Sequence, residues 1–170
     1  MGDNGITNVN TNVTANANTR PKTVSEAATK RLLMNSGNIY RVEVTNAAYT
    51  NRVITDIVAA DGTGNPPIFG VTDIEEEPQV WEYDSFKQTI KNKKTGLYTY
   101  PEDMKKGARI LERKAAYAWD VEDQDGGLHS IGSSDDKLYW ALTDGSNWTP
   151  ITLQAGTRND DSWKWAFNKV

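Results

Sequence analysis

An all-β fold made from one unit used three times is the class this sequence predicts, and three observations carry it. Tryptophans recur in similar company at Gln79-Val-Trp81-Glu-Tyr83, Tyr117-Ala-Trp119-Asp-Val121 and Trp163-Lys-Trp165-Ala-Phe167. Each of Trp81, Trp119 and Trp165 sits two residues before another apolar side chain, so both point to one face of a strand. Their spacing is about 40 residues, the scale of a repeated structural unit. From residue 38 onward, short β-rich runs recur at intervals of roughly ten residues. Turn formers separate these runs, among them Asp61-Gly62, Asn92-Lys-Lys-Thr-Gly96, Asp125-Gly-Gly127 and Asp144-Gly145.

The front of the chain is different material. Residues 1–22 are rich in Asn and Thr and hold little that could fill a core. Yet Val9, Thr11, Val13, Ala15 and Ala17 alternate with Asn8, Asn10, Asn12, Thr14, Asn16 and Asn18, the pattern of a strand with one apolar and one amide face. The segment reads either as a mobile tail or as an arm that pairs with a neighbouring subunit by strand addition. A short helix and linker are expected over 23–37. Thr23-Val-Ser-Glu26 fits a capping box, Ala27 to Met34 favour helix, and Asn35-Ser-Gly37 supplies the stop.

Twelve strands follow, in three sets of four. The first set is Ile39–Val44, Arg52–Ile57, Ile68–Val71 and Gln79–Tyr83. The second is Lys87–Lys91, Gly96–Tyr100, Ala108–Leu111 and Tyr117–Val121. The third is Leu128–Ile131, Lys137–Leu142, Pro150–Leu153 and Ser162–Asn168. Three fours, each closing on a Trp strand, fit a β-trefoil over 38–170: a six-stranded barrel capped by three hairpins. A sandwich or another barrel type accounts less well for the threefold spacing.

Composition narrows the functions. The 170-residue chain carries a formal charge of −4, against the basic stripe of a nucleic-acid binder. No apolar run is long enough to span a bilayer. No cysteine is present, which removes disulfide, thiolate and zinc-thiolate chemistry. Met1-Gly-Asp-Asn-Gly-Ile lacks the features of a secretory signal, so a cytoplasmic location is the expectation. The one histidine, His129, falls in an expected strand, and no serine-nucleophile motif is present, so no catalytic residue is assigned. Carboxylates cluster at Asp73-Ile-Glu-Glu-Glu77, Asp120-Val-Glu-Asp-Gln-Asp125 and Asp160-Asp161, where solvated charge is the simple account. Asp123-Gln-Asp125 resembles the start of a calcium loop but lacks its closing Glu, so neither a metal nor a cofactor is expected.

The phrases Lys87-Gln-Thr-Ile-Lys-Asn-Lys-Lys-Thr-Gly-Leu-Tyr98, Leu138-Tyr-Trp-Ala-Leu142, Thr149-Pro-Ile-Thr-Leu153 and Trp163-Lys-Trp-Ala-Phe-Asn-Lys-Val170 resemble the β-trefoil proteins of mushrooms and other fungi. That grouping holds ricin-B-like lectins and protease inhibitors of the mycocypin and cospin type. The resemblance covers about residues 38–170. It implies a non-catalytic binding protein, foremost a lectin of fungal defence type taking a glycan or glycoprotein ligand. A departure counts against three equal galactose sites. Of the family's repeated Gln-x-Trp, only Gln79-Val-Trp81 keeps the Gln.

Sugars need an aromatic face for the C–H side of the ring, with amides and carboxylates for the hydroxyls. The candidate ligand contacts are therefore Trp148 with Asn147 and Asp144, in the turn Asp144-Gly-Ser-Asn-Trp-Thr-Pro150. Tyr98, Tyr100 and Tyr117 form a second set, matching a region that holds the glycan in some fungal trefoil lectins. Two other functions stay open. A self-assembling structural protein would use residues 1–22 to build a homo-oligomer or filament. A protease inhibitor would present the loops Asp61-Gly-Thr-Gly-Asn-Pro-Pro67 and Thr99-Tyr-Pro-Glu-Asp-Met-Lys-Lys-Gly107, the first stiffened by its prolines.

Overall fold

The computed structural model describes residues 38–55, 64–72, 79–133, 137–156 and 160–170. The expected arm over 1–22, the helix and linker over 23–37, the Asp61-Gly62 turn and the carboxylate run at 73–77 lie outside the described residues.

Thirteen strand segments appear among the described residues, in three successive groups. The first group is β1 (Ile39–Asn46), β2 (Arg52–Thr55), β3 (Ile68–Val71) and β4 (Trp81–Asp84). The second is β5 (Thr89–Asn92), β6 (Tyr98–Pro101), β7 (Ile110–Arg113) and β8 (Asp120–Asp123). The third is β9 (Leu128–Gly132), β10 (Leu138–Ala141), β11 (Thr149–Pro150), β12 (Thr152–Ala155) and β13 (Lys164–Lys169). The count differs from twelve because the expected strand Pro150–Leu153 is broken at Ile151. On its N-terminal side β11 pairs with β3, and on its other side β12 pairs with β10. Some boundaries also move. Trp119 lies one residue ahead of β8, and Asp161–Trp163 forms a 3-10 turn before β13.

The groups build a closed barrel. β1 pairs antiparallel with β13 and β4, β4 with β5, β8 with β9, and β9 with β13. The remaining seam, β5 to β8, is joined by the Trp119 N–H donating to the Gln88 carbonyl at 2.8 Å. Closure removes the exposed edges that an open sheet of this length would present.

Three hairpins, β2–β3, β6–β7 and β10–β12, cap one end and bond to one another in a cycle. Glu112 N–H donates to Pro66 O at 2.8 Å, Leu153 N–H to Ala108 O at 2.8 Å, and Ile151 N–H to Ile68 O at 3.1 Å. Ile68, Ile110 and Ile151 stand at corresponding places in this cycle, each 0% exposed. The first turn of each unit also repeats. Asn46 N–H donates to Asn51 O, Asn92 N–H to Leu97 O and Ser133 N–H to Leu138 O. Hydrogen-bond geometry and spacing therefore agree on threefold pseudosymmetry.

The barrel core is filled by the three recurrent tryptophans, with Trp140 beside them, all 0% exposed. A buried indole N–H is costly without a partner, and the three recurrent tryptophans each find one, whereas Trp140 Nε1 has none among the described residues. Trp81 Nε1 donates to Val53 O at 3.0 Å and Trp165 Nε1 to Trp140 O at 3.0 Å. Trp119 Nε1 donates instead to the Thr99 hydroxyl at 2.9 Å, which in turn donates to Ile90 O at 3.2 Å. Each closing tryptophan thus ties its barrel strand to the first hairpin strand of its own unit. The residue two places on is buried or half-buried against the same core: Tyr83, Val121 and Phe167. Burial pushes the Tyr83 phenol up to about 12, aided by Asp120 and Asp123, so it stays neutral.

Candidate functional site

The loop after β10 carries the first sequence-chosen set. Asp144 accepts from the Ser146 N–H at 2.8 Å and the Thr149 hydroxyl at 2.8 Å, closing an Asx turn. These bonds, the Ser146 N–H foremost, hold its carboxyl below the usual carboxylate range. The Asn147 side-chain oxygen accepts from the Thr72 N–H at 2.6 Å and the Thr72 hydroxyl at 2.7 Å, pinning the loop to the end of β3. Trp148 follows at φ 66°, the left-handed region, and its indole is 45% exposed with an edge contact to Phe69 at 5.9 Å. The loop presents the indole to solvent while spending Asp144 Oδ1 and Asn147 Oδ1 on its own shape.

The tyrosines lie elsewhere, on the β6–β7 hairpin and the approach to β8. Tyr100 and Tyr117 meet edge-on at 5.6 Å, and Tyr117 lies 4.5 Å from Trp119, which joins them to the core. Arg113 covers the Tyr100 ring at 4.9 Å, and the Tyr117 hydroxyl donates to Met104 Sδ at 3.6 Å. Tyr98 is separate, half-buried on the barrel side under the Lys91 ammonium at 5.6 Å. The six candidate residues therefore divide over three places rather than converging on one.

His129 is buried in β9, its Nδ1 2.9 Å from Asp123 Oδ1 and its ring 4.7 Å from Phe167. Its surroundings give it a packing role. The second expected inhibitory loop is tied down as well. Glu102 and Arg109 form a two-point ion pair across it at 3.2 and 2.8 Å. Arg109 holds the Glu102 carboxyl below its ordinary range.

A concave site that sequence reasoning did not single out lies in the third unit. A surface pocket of about 240 Å³ is lined by Tyr49, Ala141, Thr143, Gln154, Ala155, Asp160, Ser162 and Trp163. Its parts come from far apart. Tyr49 belongs to the β1–β2 turn, Ala141 ends β10, Gln154 and Ala155 belong to β12, and Asp160 caps the 3-10 turn through the Ser162 N–H at 2.8 Å. Trp163 occupies the position that Gln79 holds in the first unit, two residues before the closing tryptophan. Its indole lies half-buried on Tyr139 at 5.1 Å. Gly156 packs beneath both rings, where an added Cβ would stand 2.8 Å from Tyr139. The Trp148 loop adjoins the pocket without lining it: Gly145 packs on Tyr49, and Asn51 Nδ2 donates to Gly145 O at 3.2 Å. Two aromatic rings, an amide, a carboxylate and two hydroxyls thus surround one hollow.

No protein-family model matches the chain, and no curated protein matches it. Solved structures do. The ricin B-like lectin of Macrolepiota procera in complex with lactose is 17% identical, with a TM-score of 0.63 over 79% of this chain and 97% of that one. The Rhizoctonia solani agglutinin is 18% identical, with a TM-score of 0.64 over 78% and 96%. ThreeFoil, a designed threefold-symmetric protein, is 11% identical, with a TM-score of 0.64 over 76% and 99%. With the closed barrel and the cyclic caps, these likenesses establish that the chain has the β-trefoil fold.

Proposed function

We propose that this protein is a carbohydrate-binding β-trefoil, a lectin that works without catalysis, and that the third-unit pocket holds a neutral sugar. The carrying observation is the lining itself. Trp163 and Tyr49 line it with aromatic carbon suited to the C–H side of a pyranose. Gln154, Asp160, Thr143 and Ser162 offer donors and acceptors to its hydroxyls. The volume suits one sugar residue at the end of a longer glycan, with the remainder in solvent. The lactose complex of a protein with the same fold supports the reading. A glycan or glycoprotein is the corresponding partner.

The test is a glycan array followed by calorimetric titration with lactose and other neutral disaccharides. Saturable binding that Trp163→Ala abolishes, with the fold retained by circular dichroism, is the expected result. An array blank at high micromolar protein removes the lectin reading. Binding that survives Trp163→Ala but fails in Trp148→Ala moves the site to the neighbouring loop.

A further inference from the structure

The outer wall of the barrel carries a second site. Antiparallel register aligns Arg41, Glu82, Lys91 and Tyr98 as one row across β1, β4, β5 and β6. The next row is Ile39, Asp84 and Thr89. A hollow of about 120 Å³ opens over these rows, lined by Ile39, Glu82, Asp84, Lys87, Thr89, Lys91 and Tyr98.

The charges in it are not evenly matched. Glu82 faces Lys91 in register, yet its carboxylate reaches Arg41 at 3.5 Å. Asp84 accepts from the Phe86 and Lys87 N–H groups at 3.1 and 3.0 Å and lies 3.4 Å from Lys87 Nζ. These bonds, the Lys87 N–H first, hold the Asp84 carboxyl below its ordinary range. Both carboxylates are thereby neutralised by neighbours. Lys91 is the cation left over: its ammonium leans over the Tyr98 ring and makes no ion pair among the described residues. An ammonium without an ion pair, beside an aromatic ring, a hydroxyl and an apolar side chain, is a receptor for a carboxylate attached to a ring.

We propose that this barrel-side hollow binds a carboxylate-bearing saccharide, a uronic-acid type of sugar. Lys91 takes the carboxylate, Tyr98 and Ile39 take the ring's apolar side, and Glu82 and Thr89 accept its hydroxyls. The site lies on β1, β4, β5 and β6, apart from the third-unit pocket, and does not depend on that pocket's ligand. It makes the protein a reader of two sugar classes on two faces.

The test is an amide NMR titration of the full chain with sodium glucuronate, with glucose and sodium acetate as comparisons. Saturable shifts at Thr89, Lys91 and Tyr98 are expected with glucuronate and not with glucose. Lys91→Gln should weaken the binding about ten-fold, from the loss of one charge-assisted bond, and Lys91→Arg should restore most of it. Absence of saturable shifts, equal affinity in Lys91→Gln, or a shift map centred on Trp163 each overturns the proposal. Acetate binding as tightly as glucuronate also overturns it, because the ring would then contribute nothing.

Discussion

The same position, two residues before the closing tryptophan, does three different jobs in the three units. In the first unit Gln79 is buried and acts as a clamp. Its oxygen accepts from the Thr55 N–H at 2.9 Å and from Asn92 Nδ2 at 2.8 Å, and its amide donates to Thr55 O at 3.0 Å. In the third unit Trp163 stands there, half-buried, as a wall of the sugar-sized pocket. Asn46, the counterpart of Asn92, then bonds directly to the backbone, to Ser162 O at 2.8 Å. In the second unit Tyr117 packs at a tilt against Trp119. The contrast between Gln79 and Trp163 teaches that the fold keeps the closing tryptophan in every unit, while the turn residue can be Asn46, Asn92 or Ser133 and the residue two places before the tryptophan can be a lock in one unit and a pocket wall in another.

The sharpest way to break this comparison is to remove the part held in common. Truncating Trp165 to Ala, or Trp81 to Ala, empties a fully buried site and orphans an indole-bonded carbonyl, at a cost of about 3–5 kcal/mol. Urea unfolding should show similar losses for both. A midpoint unchanged in either would end the claim that they are equivalent core members.

Next comes the lock itself. Gln79→Ala leaves the Thr55 N–H and the Thr55 carbonyl without their partner and the Asn92 amide with only the Thr55 hydroxyl at 3.3 Å, with an expected loss of about 3 kcal/mol in the same assay. By contrast, Trp163→Ala at the matching position removes chiefly a ring contact with Tyr139 and should cost about 1 kcal/mol. Its sugar binding, however, should vanish. Equal stability losses at 79 and 163 would erase the distinction between clamp and surface.

The smallest effect concerns the carboxylate beside the lock. Glu112 is fully buried, accepting from the Thr55 hydroxyl at 2.7 Å and the Thr95 hydroxyl at 2.9 Å. Burial raises its pKa, outweighing these hydrogen bonds. A carboxyl raised in the fold binds its proton more tightly there than in the unfolded chain. Its contribution is therefore present below the unfolded value and is lost as pH rises through the folded one. Glu112→Gln keeps the shape and removes the ionisation. The stability of the variant relative to the parent should accordingly rise as pH is taken from about 4 to 8, followed by denaturation at each pH. A flat difference would place the ionisation of Glu112 outside the stability balance.

Much of the scaffold is legible in the sequence. Trp81, Trp119 and Trp165 announce themselves because threefold packing demands one large side chain per unit. The turn formers Asn92 to Gly96 mark a hairpin because Gly96 must take φ 72°. The break at Ile151 was not legible, since a strand that changes partners midway keeps its alternation. Trp148 lies exposed in the turn that its neighbours Asp144, Gly145 and Asn147 predict, but the use of Asn147 and Asp144 as loop fasteners depends on Thr72 and Thr149 arriving nearby.

The sequence by itself determined the class of fold, the number of units, the core tryptophans and the improbability of thiol chemistry, because these follow from local periodicity and composition. Only the tertiary structure decided which side chains share a concave surface. The third-unit pocket joins Tyr49 to Trp163, and the barrel-side hollow joins Ile39 to Tyr98. Those pairs meet because strands distant in the chain are neighbours in a closed barrel, and register between strands leaves no mark on the spacing within any one of them.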